Sequence, residues 1–263
     1  AEPAKSIKNV IYGPHDRHRM DVYLPADASN APVIFMVHGG GWRHGDKAGR
    51  HITKNKISRW VNKGIIFVST NYRVLPEADP LQQAEDIARA ISKAQKFAPN
   101  WGGDPDKFVL LGHSAGAHLV MLVSASSEMA TRIGARPWLG VVAMDSAAMD
   151  VPAVMQRKHL RLYDEAFGSD PTYWKKASPT HQLSRTTPPV LAICSLNRKD
   201  KPCDENLSMQ KQALELGLRV EVLQQTMSHG EINERLGADE PYTAAVEAFM
   251  SSLDPQLAAL LAQ

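Results

Sequence analysis

Apolar residues follow two rhythms along this chain. Short, nearly continuous runs at 33–37, 65–70, 108–111, 138–144, 189–195 and 219–223 have the length and branched content of strands buried on both faces, as in a parallel sheet. Between them lie longer stretches with helical spacing: 47–62, 80–98 with Ile87 and Ile91 four apart, about 203–216 and about 241–253. Ahead of these, 10–12 and 20–24 flank the turn-rich Gly13-Pro14-His15-Asp16, which predicts an antiparallel hairpin at the start of the sheet. The alternation predicts an α/β protein: a mostly parallel, twisted sheet of about eight strands with helices on both faces.

One segment breaks the alternation. Residues 145–188 contain Tyr163, Phe167, Tyr173 and Trp174 but no strand pattern. A structureless loop of that length is uncommon in a compact domain, so the segment is expected to be a small helical insertion after the sixth strand, lying over the C-terminal edge of the sheet as a lid. Its basic residues, Arg157, Lys158, His159 and Arg161, read as a solvated helix face, the alternative being attraction of acidic substrates.

Length and charge narrow the function classes. A chain of 263 residues suits one domain, 1–263, with a substantial core. A net charge of +2 with 22% charged residues argues against nucleic acid and against an anionic membrane surface as partners. Residues 108–127 lack Asp, Glu, Lys and Arg and are long enough to count as a membrane span, but their histidines, glycines and serines fit a strand, a turn and a helix better. The two cysteines, Cys194 and Cys203, are either a short-loop disulfide or two thiols. The start at Ala1 fits a removed signal peptide, hence a periplasmic or secreted protein, and fits a cytoplasmic one equally.

The chemistry centres on Gly112-His113-Ser114-Ala115-Gly116, a G-x-S-x-G set between the run 108–111 and an apolar helical stretch. A turn that tight between strand and helix leaves no space for side chains at the two glycines and puts the Ser114 hydroxyl at its tip. Three consecutive glycines, Gly39-Gly40-Gly41, follow another buried run, which predicts a loop whose N–H groups face a pocket. A serine hydroxyl needs a base, and the base needs a carboxylate to hold its tautomer. His229 is the only one of the ten histidines beyond residue 181, and it follows a strand, as a triad histidine placed last in the order Ser, Asp, His would. The loop after 189–195 offers two acids, Asp200 and Asp204.

With these residues in place the chain resembles the α/β-hydrolase superfamily, in particular the esterases related to hormone-sensitive lipase and the bacterial carboxylesterase and formamidase group. His38-Gly39-Gly40-Gly41-Trp42, Tyr72-Arg73 with Pro76-Glu77, Asp86 and the Ser114 motif carry the resemblance over nearly the whole length. It implies an oxyanion hole of the Gly40, Gly41 and Ala115 N–H groups, with Trp42 and His113 touching the substrate. It also favours Asp200 as the acid, from its 29-residue separation from His229 (229 − 200), with Asp204 left to start the next helix. The N-terminal cap of many relatives is missing, which suggests small or short-acyl esters. Formamidases of similar pattern often carry an aromatic residue where Gly41 stands, so the glycine favours a serine carboxylic ester hydrolase, a carboxylesterase working through an acyl-enzyme. Arylformamidase-type or deacetylase chemistry by the same triad is the alternative, and a small-molecule binding protein on the same fold, like the plant gibberellin receptors, is a remoter one. The expected partner is a small-molecule ester, with no metal and no organic cofactor.

Overall fold

The computed structural model describes residues 5–263; residues 1–4, on which the signal-peptide reading rests, lie outside them. The strands are β1 (Lys5–Ile11), β2 (Arg19–Leu24), β3 (Ala31–Val37), β4 (Ile66–Thr70), β5 (Gly103–His113), β6 (Gly140–Met144), β7 (Val190–Ser195) and β8 (Val220–Gln225). They form one sheet in the order β1-β2-β4-β3-β5-β6-β7-β8. The hairpin of β1 and β2 pairs antiparallel, and β2 joins β4 antiparallel. From β4 through β8 every pairing is parallel. This is the α/β-hydrolase fold.

The longer helices follow the helical spacing: α1 (Arg50–Trp60), α2 (Pro80–Phe97) and α3 (Ala115–Ala125). Asp79 starts α2 by accepting the N–H groups of Leu81 and Gln82, the side-chain cap expected ahead of Pro80. A short α4 (Glu128–Ile133) precedes β6. The segment after β6 is helical, with α5 (Val151–Met155), α6 (Arg161–Phe167), α7 (Pro171–Lys176) and α8 (Pro179–Gln182), and the chain closes with α9 (Pro202–Glu215), α10 (His229–Glu234), α11 (Pro241–Ser251) and α12 (Pro255–Leu261).

Strand periodicity splits the core in two. Along β3, Val33, Phe35 and Val37 enter one buried cluster with Ile87 and Ile91 of α2, whereas Ile34 and Met36 enter another with Trp60 of α1 and Phe249 of α11. Successive side chains on a strand face opposite ways, so each face of the sheet carries its own helical layer, and the central strands must be apolar throughout. Residues 108–127 divide between β5 and α3, and among the described residues no helix is long and apolar enough to cross a membrane. Parallel strands end on one edge of the sheet. The chain leaving β3, β5, β6, β7 and β8 there brings the glycine loop, Ser114, Asp145, Arg198 and His229 to a common rim.

Candidate active site

Ser114 sits between β5 and α3 with φ 59° and ψ −118°, a conformation that non-glycine residues adopt only when the surroundings enforce it. The two glycines of the motif make the turn possible. A Cβ on Gly116 would stand 2.2 Å from the Val37 carbonyl oxygen, and one on Gly112 would stand 2.3 Å from the Gly116 oxygen. Both clashes are with backbone, which cannot swing aside, so helix and strand approach this closely only without side chains. The Ser114 N–H donates to the Met144 oxygen at 2.8 Å, which ties the elbow to the end of β6.

The residue after Met144 is Asp145, also in the left-handed region at φ 63°. Its side chain is fully buried. Oδ1 accepts the Ser195 N–H at 2.7 Å, and Oδ2 lies 2.6 Å from Nδ1 of His229. Burial pushes this carboxyl up, but the His229 bond, the Arg198 guanidinium and the Ser195 N–H outweigh it and hold the group below its ordinary value. Asp145 is therefore an ionised acceptor that requires the hydrogen of His229 on Nδ1, leaving Nε2 as the basic nitrogen.

His229 opens α10. Ser228 caps that helix in a reciprocal box with Glu231, and at the far end the buried Lys56 ammonium donates to the Asn233 carbonyl and side-chain oxygens at 2.6 and 2.9 Å. Beneath the ring lies His113, 4.5 Å away between centroids, with Nε2 donating to the His229 carbonyl at 2.8 Å. Burial, then the neighbouring His229, pushes His113 down to about 3, so it is a neutral support.

Arg198 completes the cluster. Nε and Nη2 grip both oxygens of Asp200 at 2.9 and 2.5 Å, while Nη1 donates to the Asp145 carbonyl at 2.6 Å and stands 3.2 Å from Asp145 Oδ2. The loop that carries it is braced on three sides. Cys194 and Cys203 are joined in a disulfide across it, the Ser195 hydroxyl donates to Met227, and the Asn197 amide donates to Thr226.

Ser114, Asp145 and His229 line one cavity of about 300 Å³. Gly41, Trp42 and Ala115 line it too, and the helical segment after β6 contributes Leu160, Leu162 and Tyr163. Gly40 and Gly41 have φ of 122° and 60°. The loop is anchored where the Tyr72 hydroxyl donates to the His38 carbonyl at 2.8 Å, and the next residue, Arg73, forks onto the buried Asp86. Trp42 packs against Tyr163 and Phe167 and donates from its indole to His118 at 3.1 Å.

Three placements differ from expectation. Asp200 is not the carboxylate on His229: it lines the cavity, but Arg198 occupies both of its oxygens, and Asp145 from the preceding strand holds the histidine. Asp204 lies exposed in the first turn of α9. His113 is not among the residues lining the cavity; it backs His229 from the protein side. Gly40 is likewise outside the lining set, its own Cβ position facing the His44 carbonyl at 2.3 Å. Asp145 was readable in principle, since it too follows a buried strand and falls between Ser114 and His229.

Comparison with known proteins agrees with this architecture. A family model described as BD-FAE matches residues 20–212. Esterase LipQ of Mycobacterium tuberculosis is 29% identical over 205 residues, covering 72% of this chain and 48% of that protein. Isoprenylcysteine alpha-carbonyl methylesterase of Arabidopsis thaliana is 31% identical over 126 residues, covering 46% of this chain and 29% of its own length. The matched region thus spans less than half of either relative. Among solved structures, a truncated carbohydrate esterase from gut microbiota superposes with TM-score 0.78 at 17% identity over 100% of both chains. Esterase Est2 of Thermogutta terrifontis gives 0.74 at 20% identity, covering 93% of this chain and 91% of that one. The chain belongs to the BD-FAE family, on the α/β-hydrolase fold.

Proposed function

We propose that this protein is a serine carboxylic ester hydrolase whose triad is Ser114, His229 and Asp145. The observation that carries the reading is the 2.6 Å contact between Asp145 Oδ2 and His229 Nδ1, made beside a strained serine in a shared cavity. His229 Nε2 takes the Ser114 proton as Oγ attacks the ester carbonyl, and Asp145 stabilises the imidazolium that forms without itself accepting the proton. The negative charge on the carbonyl oxygen falls to the N–H groups of Ala115 and Gly41, the members of the expected hole that line the cavity. His229 returns the proton to the departing alcohol. Water, deprotonated by the same nitrogen, then releases the acid from Ser114. The names of the relatives, an esterase and a methylesterase, support the same reaction class.

A cavity of about 300 Å³ stands at the small end of ligand sites, and the apolar wall of Leu160, Leu162 and Tyr163 suits an acyl chain of about two to six carbons. The helical segment 145–188 serves as the lid over that wall. The test joins labelling to turnover. An organophosphorus reagent attaches to Ser114, and Ser114→Ala loses about 10⁴-fold or more in hydrolysis. A panel of esters of graded acyl length alongside an N-formyl aromatic amine favours the short esters. Label on another serine would sink the nucleophile assignment, and preferred turnover of the formyl amine would move the chain to amide chemistry.

A further inference from the structure

A second cleft adjoins the catalytic cavity. Ala147, Leu160, Tyr163 and Asp200 belong to the cavity wall and also to that of the cleft, which has a volume of about 220 Å³. The remaining polar walls of that cleft are Arg157, Lys158, His159, Lys199 and Lys201. They come from two separate segments, the connection between α5 and α6 and the disulfide-braced loop between β7 and α9.

Most of the other charges here are already matched. Arg157 pairs with the buried Glu205 at 3.2 Å, His159 with Asp164 at 2.7 Å, and Asp200 with Arg198 at 2.5 Å. Lys158, Lys199 and Lys201 are exposed and have no ion pair among the described residues. Three lysines thus line one concave surface whose only carboxylate among the lining residues, Asp200, is taken by Arg198. That arrangement costs repulsion in the empty protein and is offset when an anion enters. The sequence alone shows a basic stretch at 157–161, and only the fold adds Lys199 and Lys201 to the same cleft and sets it beside the site of reaction.

We propose that this cleft is a subsite for an anionic group, a carboxylate or a phosphate, carried by the ester substrate on the part that extends past Tyr163. The inference rests on the serine hydrolase reading above and specifies its substrate class. Entry of the anion places the ester carbonyl near Ser114, so recognition acts on KM and on the rate of encounter, and salt weakens it.

The experiment compares length-matched esters: methyl hexanoate with monomethyl adipate for an anion on the acid side, and propyl acetate with 3-acetoxypropanoate and 3-acetoxypropyl phosphate for one on the alcohol side. At low ionic strength at least one anionic ester is expected to exceed its neutral match by about tenfold or more in kcat/KM, mainly through KM. The ratio should fall to about threefold or less at 0.5 M salt and in the variant Lys158→Gln/Lys199→Gln/Lys201→Gln. A control with the same net charge, Lys54→Gln/Lys96→Gln/Lys211→Gln on exposed faces of α1, α2 and α9, should keep it. Equal turnover of neutral and anionic esters, or a preference that survives loss of the three cleft lysines, overturns the subsite. Binding of the anionic esters to Ser114→Ala, measured by calorimetry, reads the cleft apart from turnover and is expected to weaken about tenfold without the lysines. If wild type hydrolyses no ester while this lysine-dependent binding stands, the hydrolase reading fails and the anion site is upheld.

Discussion

His229 and Asp145 lie 84 residues apart in the chain and 2.6 Å apart in space, joined through Nδ1 and Oδ2. The two residues arrive from β8 and β6, with β7 between them. What β7 contributes to the site is a cation: Arg198 bridges Asp145 to Asp200. The acid on the histidine is thus held from two sides, by the Ser195 N–H and by a guanidinium, and its charge is offset before any substrate enters.

Arg198 should consequently be a residue of stability as well as position. Arg198→Met leaves Asp145 buried with one fewer partner, and a loss of about 2 to 4 kcal/mol at pH 7 is expected from denaturant unfolding. Asp145 sits below its ordinary value of 3.8, so its stabilising contribution is present above that value and lost as pH falls through the depressed folded value. The penalty of Arg198→Met should therefore shrink as the unfolding series is carried below about pH 4. Arg198→Lys should restore little, because one ammonium cannot fork onto Asp200 and reach Asp145 at once. A penalty that is the same at pH 7 and at pH 3 would show that Arg198 acts through packing alone.

Glu205 predicts the opposite pH trend. Burial, partly offset by Arg157, pushes its carboxyl up from 4.5 to about 7. A raised folded value contributes stability that is full below 4.5 and lost as pH rises through about 7. Glu205→Gln keeps an acceptor for the Asp150 N–H and removes the titration. Relative to wild type it should gain stability from pH 5 to pH 8, up to about 3 kcal/mol. Parallel pH profiles for the two proteins would place Glu205 among ordinary carboxylates.

Much of this architecture is legible in the amino-acid sequence, for definite reasons. The central strands are buried on both faces, so their runs stand out, and Gly112 and Gly116 mark a turn whose sterics admit no other residue. Element ends moved by a few residues; β5, for example, starts at Gly103, ahead of the apolar run. His229 is found by its place after the last strand, though it begins a helix that its own Ser228-x-x-Glu231 capping box could have announced. The acid was not decided by pattern because Asp145 and Asp200 both follow a buried strand in the required order. What separates them is a contact between chain ends of different strands, Asp145 with His229, while Arg198 of the same loop holds Asp200, and such contacts have no periodic signature. The basic cleft is hidden for the same reason, since its walls are distant in sequence.

The disulfide between Cys194 and Cys203 closes a loop with a sequence separation of 9 around Arg198 and Asp200. Cys194→Ser/Cys203→Ser should lose about 2.5 to 3 kcal/mol by the loop-entropy relation. Because the loop also carries Lys199 and Lys201, the same variant should reduce turnover of anionic esters more than of neutral ones. Thermal unfolding with and without reductant, set beside the two rates, checks both effects.

That Asp145, not Asp200, orients His229 is checked by comparing kcat/KM of Asp145→Asn and Asp200→Asn on one short-chain ester, with circular dichroism confirming that both variants fold. Asp145→Asn favours the wrong tautomer of His229 and should lose about 10³ to 10⁴-fold. Asp200→Asn frees Arg198 from one partner but leaves the Asp145 bond intact, and should lose about tenfold or less. The reverse ranking, with Asp200→Asn nearly inactive and Asp145→Asn close to wild type, would contradict the account and return the acid to the loop after β7.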